Sequence, residues 1–195
     1  MNLGRLFVRL VIGGLFLGHG TQKLRGWFGG PGLAGTEQMM GSLELQPARL
    51  NALAAGVTET GGGALLAAGL LTPLAAAGLI GTMVTAIRTV HLKNGPWAAN
   101  GGYEYNLVLI AALVGLVDGG PGTLSADRAL GIHDVGPRWA FGALAGGAAA
   151  SALTVALGRR QAAQAAAEAA AYPEDGRVTE ATQGQTAGDP VTTTA

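Results

Sequence analysis

The sequence predicts an all-α integral membrane protein: a four-helix bundle with a fifth transmembrane helix and a disordered C-terminal tail. Three observations carry that expectation. Charged residues make up 12% of the 195 residues, about half the share of an ordinary soluble domain, while 49% are hydrophobic and the mean hydropathy is +0.35. The apolar residues gather in runs near the ~20 residues that cross a ~30 Å hydrocarbon core. Glycine is abundant, at 34 residues, with much of it inside those runs. It weakens helices in water but lets membrane helices approach closely.

The first run covers residues 6–24, with Arg5 and Arg9 at its start. It begins like a signal peptide, yet no small-x-small cleavage site precedes the polar stretch at His19, so it reads as a retained span. The second covers 50–71 and is interrupted only by Thr58, Glu59 and Thr60. Thr72-Pro73 then makes a turn, since proline suits the start of a helix and not its interior. The third span is 74–90. The fourth, 105–117, is short and borrows 102–104 at its start. A fifth, 139–158, lies between Arg138 and Arg159-Arg160. The chain therefore divides into a membrane domain (1–133), an extra span (138–158) and an extension (159–195). That extension is alanine-rich and helical over 161–171, ends at Pro173, and continues as a Thr/Gly/Gln-rich tail expected to be disordered.

Between the spans, 26–47 reads as a long glycine-rich loop carrying Trp27 and Phe28, of a length associated with function or disorder. Asn94-Gly95-Pro96 and Asn100-Gly101-Gly102 give 94–102 turn chemistry, and 118–137 is polar and turn-rich. Two small-xxx-small patterns, Gly14 with Gly18 and Gly142 with Gly146, are candidate helix contacts. The net charge is zero, which gives no basic surface for nucleic acid. Cysteine is absent, which removes disulfides, CxxC chemistry, thiolate metal sites and c-type haem attachment. No metal site is predicted.

Helix parity places the chemistry. Span one ends on a side designated B, where span two starts, span three ends and span four starts. His19, Lys23, Arg88, His91, Lys93 and Glu104 all lie at B-side ends, whereas Glu59 lies about nine residues into its span, ~13 Å deep at 1.5 Å per residue. The opposite side, A, offers Arg5, Arg9 and Asp118. His19 and Lys23 (i, i+4) share a face, and so do Arg88 and His91 (i, i+3). The candidate ligand-binding set is therefore His19, Lys23, Glu59, Arg88, His91 and Glu104. Glu59 leads it, because an intramembrane acid pairs or lines a cavity, and Arg88 is its expected partner. Blander readings stand beside this one. His19, Lys23 and above all Lys93 can snorkel to headgroups, and Trp27, Trp97, Tyr103 and Tyr105 suit an interfacial aromatic belt. A Glu59–Arg88 pair can serve register alone. No spacing demands that His19 and His91 ligate haem, and His133 belongs to a solvated connector.

Several motifs carry a family resemblance. They are His19-Gly20-Thr21-Gln22-Lys23-Leu24, Phe28-Gly29-Gly30-Pro31-Gly32-Leu33, Glu59 with Gly61-Gly62-Gly63, Gly69-Leu70-Leu71-Thr72-Pro73, Val90-His91-x-x-Asn94-Gly95 and Gly101-Gly102-Tyr103-Glu104-Tyr105-Asn106. In order and spacing, over about residues 3–130, they resemble the DoxX family of bacterial membrane proteins. The resemblance implies a four-helix, multi-pass domain in the bacterial inner membrane, with span five and the tail outside the family core. The family name is linked to a DoxD-type subunit of thiosulfate:quinone oxidoreductase, and related members to membrane partners of sulfurtransferase and superoxide dismutase. A redox role at the quinone pool is therefore implied. Imidazole and carboxylate can hydrogen-bond quinone carbonyls and relay protons. With no cysteine and no nucleotide or flavin motif, electrons would come from a partner or a bound cofactor, so catalysis by this chain alone is not expected.

Three functions are compatible with the sequence: a redox accessory subunit binding quinone or another small ligand, a scaffold docking soluble redox or sulfur-transfer enzymes, and, last, a small-solute transporter. The transporter reading needs alternating access, for which four spans without inverted repeats would have to form a homo-oligomer. Orientation stays open. Arg5, Arg9, Arg128 and Arg138 flank side A, against Lys23, Arg25, Arg49, Arg88, Lys93, Arg159 and Arg160 on B. That places B in the cytoplasm unless Lys23, Arg88 and Lys93 are site residues.

Overall fold

A computed structural model describes residues 3–171. Every regular element among them is helical: α1 (Leu3–Arg25), α2 (Gly32–Ser42), α3 (Ala48–Ala68), α4 (Thr72–Ala86), α5 (Glu104–Gly119), α6 (Ala126–Ala129) and α7 (Pro137–Ala171), with short 3-10 turns between. The tail expected over 174–195 lies outside the described residues. The helices up to residue 162 form one compact unit. Residues 163–171, the described part of a second unit, continue α7 as an alanine-rich helix.

Among the described residues three helices are long and apolar enough to cross a membrane: α1, α4 with its continuation to Asn94, and α7. Their outward faces are apolar, with Phe7 69% and Phe141 73% exposed. Water would penalise so much exposed apolar surface, and lipid does not. The chain is a membrane protein. α3 has membrane length, at 21 residues, but Arg49, Asn51 and Glu59 lower its apolarity. α5, at 16 residues, reaches about 24 Å at 1.5 Å per residue.

α1 packs most extensively on α3, and glycine explains why. A Cβ on Gly13 would sit 2.6 Å from the Gly63 carbonyl oxygen, and one on Gly63 would sit 2.6 Å from that of Gly13. Seven residues along each helix, Gly20 meets the backbone of Gly56 and Thr60. The spacing of seven is two helical turns, so the antiparallel backbones touch twice along one seam. The small-xxx-small patterns predicted the wrong faces. Gly14, Gly18, Gly142 and Gly146 have nothing within 4 Å of a built Cβ, and it is Gly147 that meets Gly81, joining α7 to α4. The main core runs from Phe16 and Leu66 through Leu79 and Ile80 to Leu113, Val117 and Ala143.

The A end is closed by polar ties. Asp127 accepts from Leu71 N at 2.7 Å, Thr72 N at 3.1 Å and the Thr72 hydroxyl at 2.7 Å, capping α4. Arg9 is 1% exposed, and its Nη2 donates to the Leu124 carbonyl at 2.6 Å. The flanking charge expected at Arg9 is therefore an internal tie between α1 and the connection after α5. Gly69, with φ 65° at the end of α3, has no room for a side chain because the Arg9 guanidinium occupies it. At the B end, half of the expected 26–47 loop is α-helix: α2 spans 11 of those residues, and Trp27–Gly29 form a 3-10 turn. Its glycines serve the turns, with Gly26, Gly29 and Gly32 at positive φ.

Candidate functional site

The site begins where the α1–α3 seam reaches the B end. Because glycine brings the two backbones together, side chains just beyond the contact must meet. Lys23 Nζ donates to Glu59 Oε2 at 2.5 Å, with the Glu59 side chain 5% and the Lys23 side chain 22% exposed. Glu59 is thus a buried acid with a partner, and the partner is Lys23, not the expected Arg88. Two features explain this. Lys23 lies on the helix that touches α3 most closely, and Arg88 has turned away.

That turning has a local cause. After Ala86 the helix widens into a π-turn over Ile87–His91 and then tightens into a 3-10 turn over Leu92–Asn94. A wider turn rotates the residues within and beyond it about the helix axis, so the i, i+3 face expected for Arg88 and His91 splits. Arg88 is exposed and His91 half-buried. Single π-turns inside α-helices occur often at functional sites.

His91 Nδ1 lies 2.7 Å from the Gly101 carbonyl. A carbonyl only accepts, so Nδ1 carries the proton and Nε2 of the neutral ring is left as an acceptor. His19 is arranged alike. Its Nδ1 is 3.0 Å from Gln22 Oε1, and Gln22 Nε2 donates to Phe28 O at 3.4 Å. That orients the amide so that Oε1 accepts from the ring.

These groups border a partly open cavity of about 650 Å³ lined by residues of α1–α5, α7 and the 98–102 segment. Four of the six predicted residues line it, namely His19, Lys23, Glu59 and His91; Arg88 and Glu104 do not. Glu104 opens α5 and is half-buried. Methionines line another part of the wall, Met39 and Met40 from α2 and Met83 from α4. Thr82 and Thr85 from α4 and Thr89 from the π-turn, with Ser151 and Thr154 from α7, give it hydroxyls. Thr82, Thr85 and Thr89 donate to carbonyls one turn back, and Thr85 also lies 2.9 Å from the Ser151 hydroxyl. Their oxygens retain acceptor capacity.

The hydroxyl row was missed because a polar but uncharged residue on a membrane helix draws no attention singly. The signal was present: Thr82, Thr85 and Thr89 recur at i, i+3 and i+7, one face of a helix.

Chemically, the cavity offers one charged donor (Lys23), one carboxylate, two imidazoles with free Nε2 atoms, and hydroxyl acceptors within largely apolar walls. Its volume lies within the ~300–1,000 Å³ of small-molecule pockets, which are mostly apolar with a few placed polar groups. Among the described residues no group of three or more His, Cys, Asp or Glu comes together to hold a metal.

The family model described as DoxX matches residues 4–92, which hold α1 through the π-turn and the four cavity residues His19, Lys23, Glu59 and His91. The Bacillus subtilis (strain 168) protein named "Putative oxidoreductase CatD" is 33% identical over 108 residues, 55% of this chain and 74% of the relative. No solved structure matches the chain.

Proposed function

The chain belongs to the DoxX family, and from that premise we propose that it is an accessory subunit of a membrane redox system, binding a quinone or a similarly polar small ligand in the B-side cavity. The carrying observation is the buried Lys23–Glu59 pair on the wall of a 650 Å³ cavity that also receives His19 and His91. The relative's name as an oxidoreductase supports the redox class. On this reading α3 and α5 also cross the bilayer, completing a four-helix, multi-pass bundle in the bacterial inner membrane with α7 as a fifth crossing.

A quinone would bring two-electron, two-proton chemistry to the site, with electrons from a partner subunit or its cofactor. The chain's own residues bind and handle protons. Lys23 Nζ donates to a carbonyl oxygen. Glu59 keeps that ammonium in place within a low-dielectric wall, where charge-assisted hydrogen bonds are strongest. The Nε2 atoms of His19 and His91 accept protons from a bound hydroxyl, each ring being held in one tautomer by its Nδ1 bond. The methionine wall adapts to an apolar ring or tail.

The test is quinone extraction from the chain purified in detergent. Wild type should retain quinone, and Glu59→Gln or His19→Ala should lose it; unchanged retention in both variants sinks the assignment. A second reading, a scaffold docking soluble redox or sulfur-transfer enzymes, is favoured by Trp27 and Phe28. They are 57% and 75% exposed and stack edge to face, with centroids 6.5 Å apart, on the turn before α2. It predicts partners that co-purify with Glu59→Gln but not with a Trp27→Ser/Phe28→Ser variant.

A further inference from the structure

The A end holds a second pocket, far smaller than the cavity and different in chemistry. It measures about 190 Å³, roughly six times the ~30 Å³ share of a liquid water, and Arg5, Arg128 and His133 line it together with the backbone of Gly119–Thr123. Arg128 and His133 are neighbours in the sequence, on α6 and the connection before α7, and the fold brings Arg5 of α1 to them. No carboxylate lines the pocket. The ion pairs within 4 Å among the described residues are Lys23–Glu59 and Arg49–Glu37, so neither Arg5 nor Arg128 holds a carboxylate in direct contact, although Asp118 and Asp134 adjoin the lining in sequence.

The backbone agrees in character. Gly120 and Gly122 take positive φ, 83° and 93°, a conformation that glycine adopts without strain. Among the described residues the amides of Gly120, Gly122 and Thr123 find no acceptor. Arg5 lies over Gly119, where a Cβ would sit 3.3 Å from Nη2. Proximity to the negative end of α5 accounts for Arg5 alone. It does not account for Arg128 and His133 facing the same space.

We infer that this pocket binds a phosphate group that carries net negative charge. Two arginines give the forked donors that match phosphate oxygens, His133 adds a ring donor, and free amides in a glycine-rich turn add more. The pocket lies where α1 begins and α5 ends, and α1 is long and apolar enough to cross a membrane, so its start would reach headgroup level on that reading. A lipid phosphodiester and free inorganic phosphate share the chemistry, so the test separates them.

The full chain in detergent is titrated with phosphatidylglycerol, with phosphatidylcholine of the same chains, and with inorganic phosphate, reading bound adducts by native mass spectrometry and the melting temperature. Saturable phosphatidylglycerol adducts, absent with phosphatidylcholine, assign a lipid headgroup. A melting shift with inorganic phosphate as large as that with phosphatidylglycerol assigns free phosphate. Arg5→Gln/Arg128→Gln should weaken binding at least ~10-fold, the loss of two charge-assisted contacts. Arg138→Gln, at the same end but outside the pocket, should leave it unchanged. Arg128→Gln alone, on an exposed side chain, keeps the test open if the double variant misfolds and should weaken binding several-fold. Equal binding of both lipids without a phosphate response, or wild-type affinity in Arg128→Gln, overturns the inference.

Discussion

Replacing Lys23 by methionine removes the ammonium from Glu59 while keeping most of the side chain's volume. Glu59, 5% exposed, is then a carboxylate without its counter-charge. Stranding one member of a fully enclosed pair costs about 3–5 kcal/mol. Lys23 remains 22% exposed and the cavity admits water, so the expected cost is about 2–4 kcal/mol. For a chain of this length that lowers Tm by about 4–16 °C, at 2–4 °C per kcal/mol. Glu59→Gln should cost less, about 1–2 kcal/mol, because the remaining ammonium has a route to water. The double variant should be less destabilised than the sum of the two by at least ~1 kcal/mol, since contacting charges couple. The assay is thermal unfolding of all four proteins in one detergent. Additive losses, or a Lys23→Met variant as stable as wild type, would show that the pair is not formed and that Glu59 finds its counter-charge elsewhere.

The helix seam and the A-end cap give two further expectations, read by the same melts. Gly63→Ala puts a Cβ 2.6 Å from both the Gly13 oxygen and the Leu17 nitrogen. Those are backbone atoms that cannot swing aside, so it should cost about 1–3 kcal/mol. Gly14→Ala, with nothing within 4 Å, should stay within about 0.5 kcal/mol of wild type. Asp127→Asn keeps the shape of the α4 cap but removes the charge behind its three bonds, costing about 1.5–3 kcal/mol. Thr72→Val leaves both backbone bonds to Asp127 and should cost nearer ~1 kcal/mol.

Parity was enough to place His19, Lys23, Glu59 and His91 near one end of the molecule, because the end of a helix depends only on counting crossings. Pairing is harder, since it depends on rotation about each helix axis. Arg88 was the expected partner of Glu59, but the α1–α3 glycine contacts draw Lys23 in and the π-turn carries Arg88 out. The same gap explains the glycine patterns. Gly14 and Gly18 fit a contact motif, but Gly13 and Gly20, seven apart, face α3, and the choice of face is made by the partner. Arg9 reads as a flanking charge because the carbonyl that receives it belongs to Leu124, 115 positions away. α2 was hidden by its own glycines, which mark turns on either side of a helix as readily as a loop.

The two ends of the molecule differ in a way that bears on function. In hydrocarbon an unpaired backbone group costs several kcal/mol, so irregular backbone persists at membrane depth only where it lines a cavity or is otherwise satisfied. At the A end the chain enters α4 through Leu71, at φ 48°, and the freed amides are taken up by Asp127. At the B end regular structure is given up with less reason from packing. α4 passes through a π-turn and a 3-10 turn, and the 98–102 segment folds back so that Gly101 receives His91 and Asn94. A straight α4 would serve a purely structural bundle at least as well, with its i→i−4 bonds intact. The departure is useful where it occurs, because it sets His91 on the cavity wall with Nδ1 fixed and Nε2 available. The irregular backbone therefore forms part of the cavity wall, the arrangement that the ligand proposed for the B end would use.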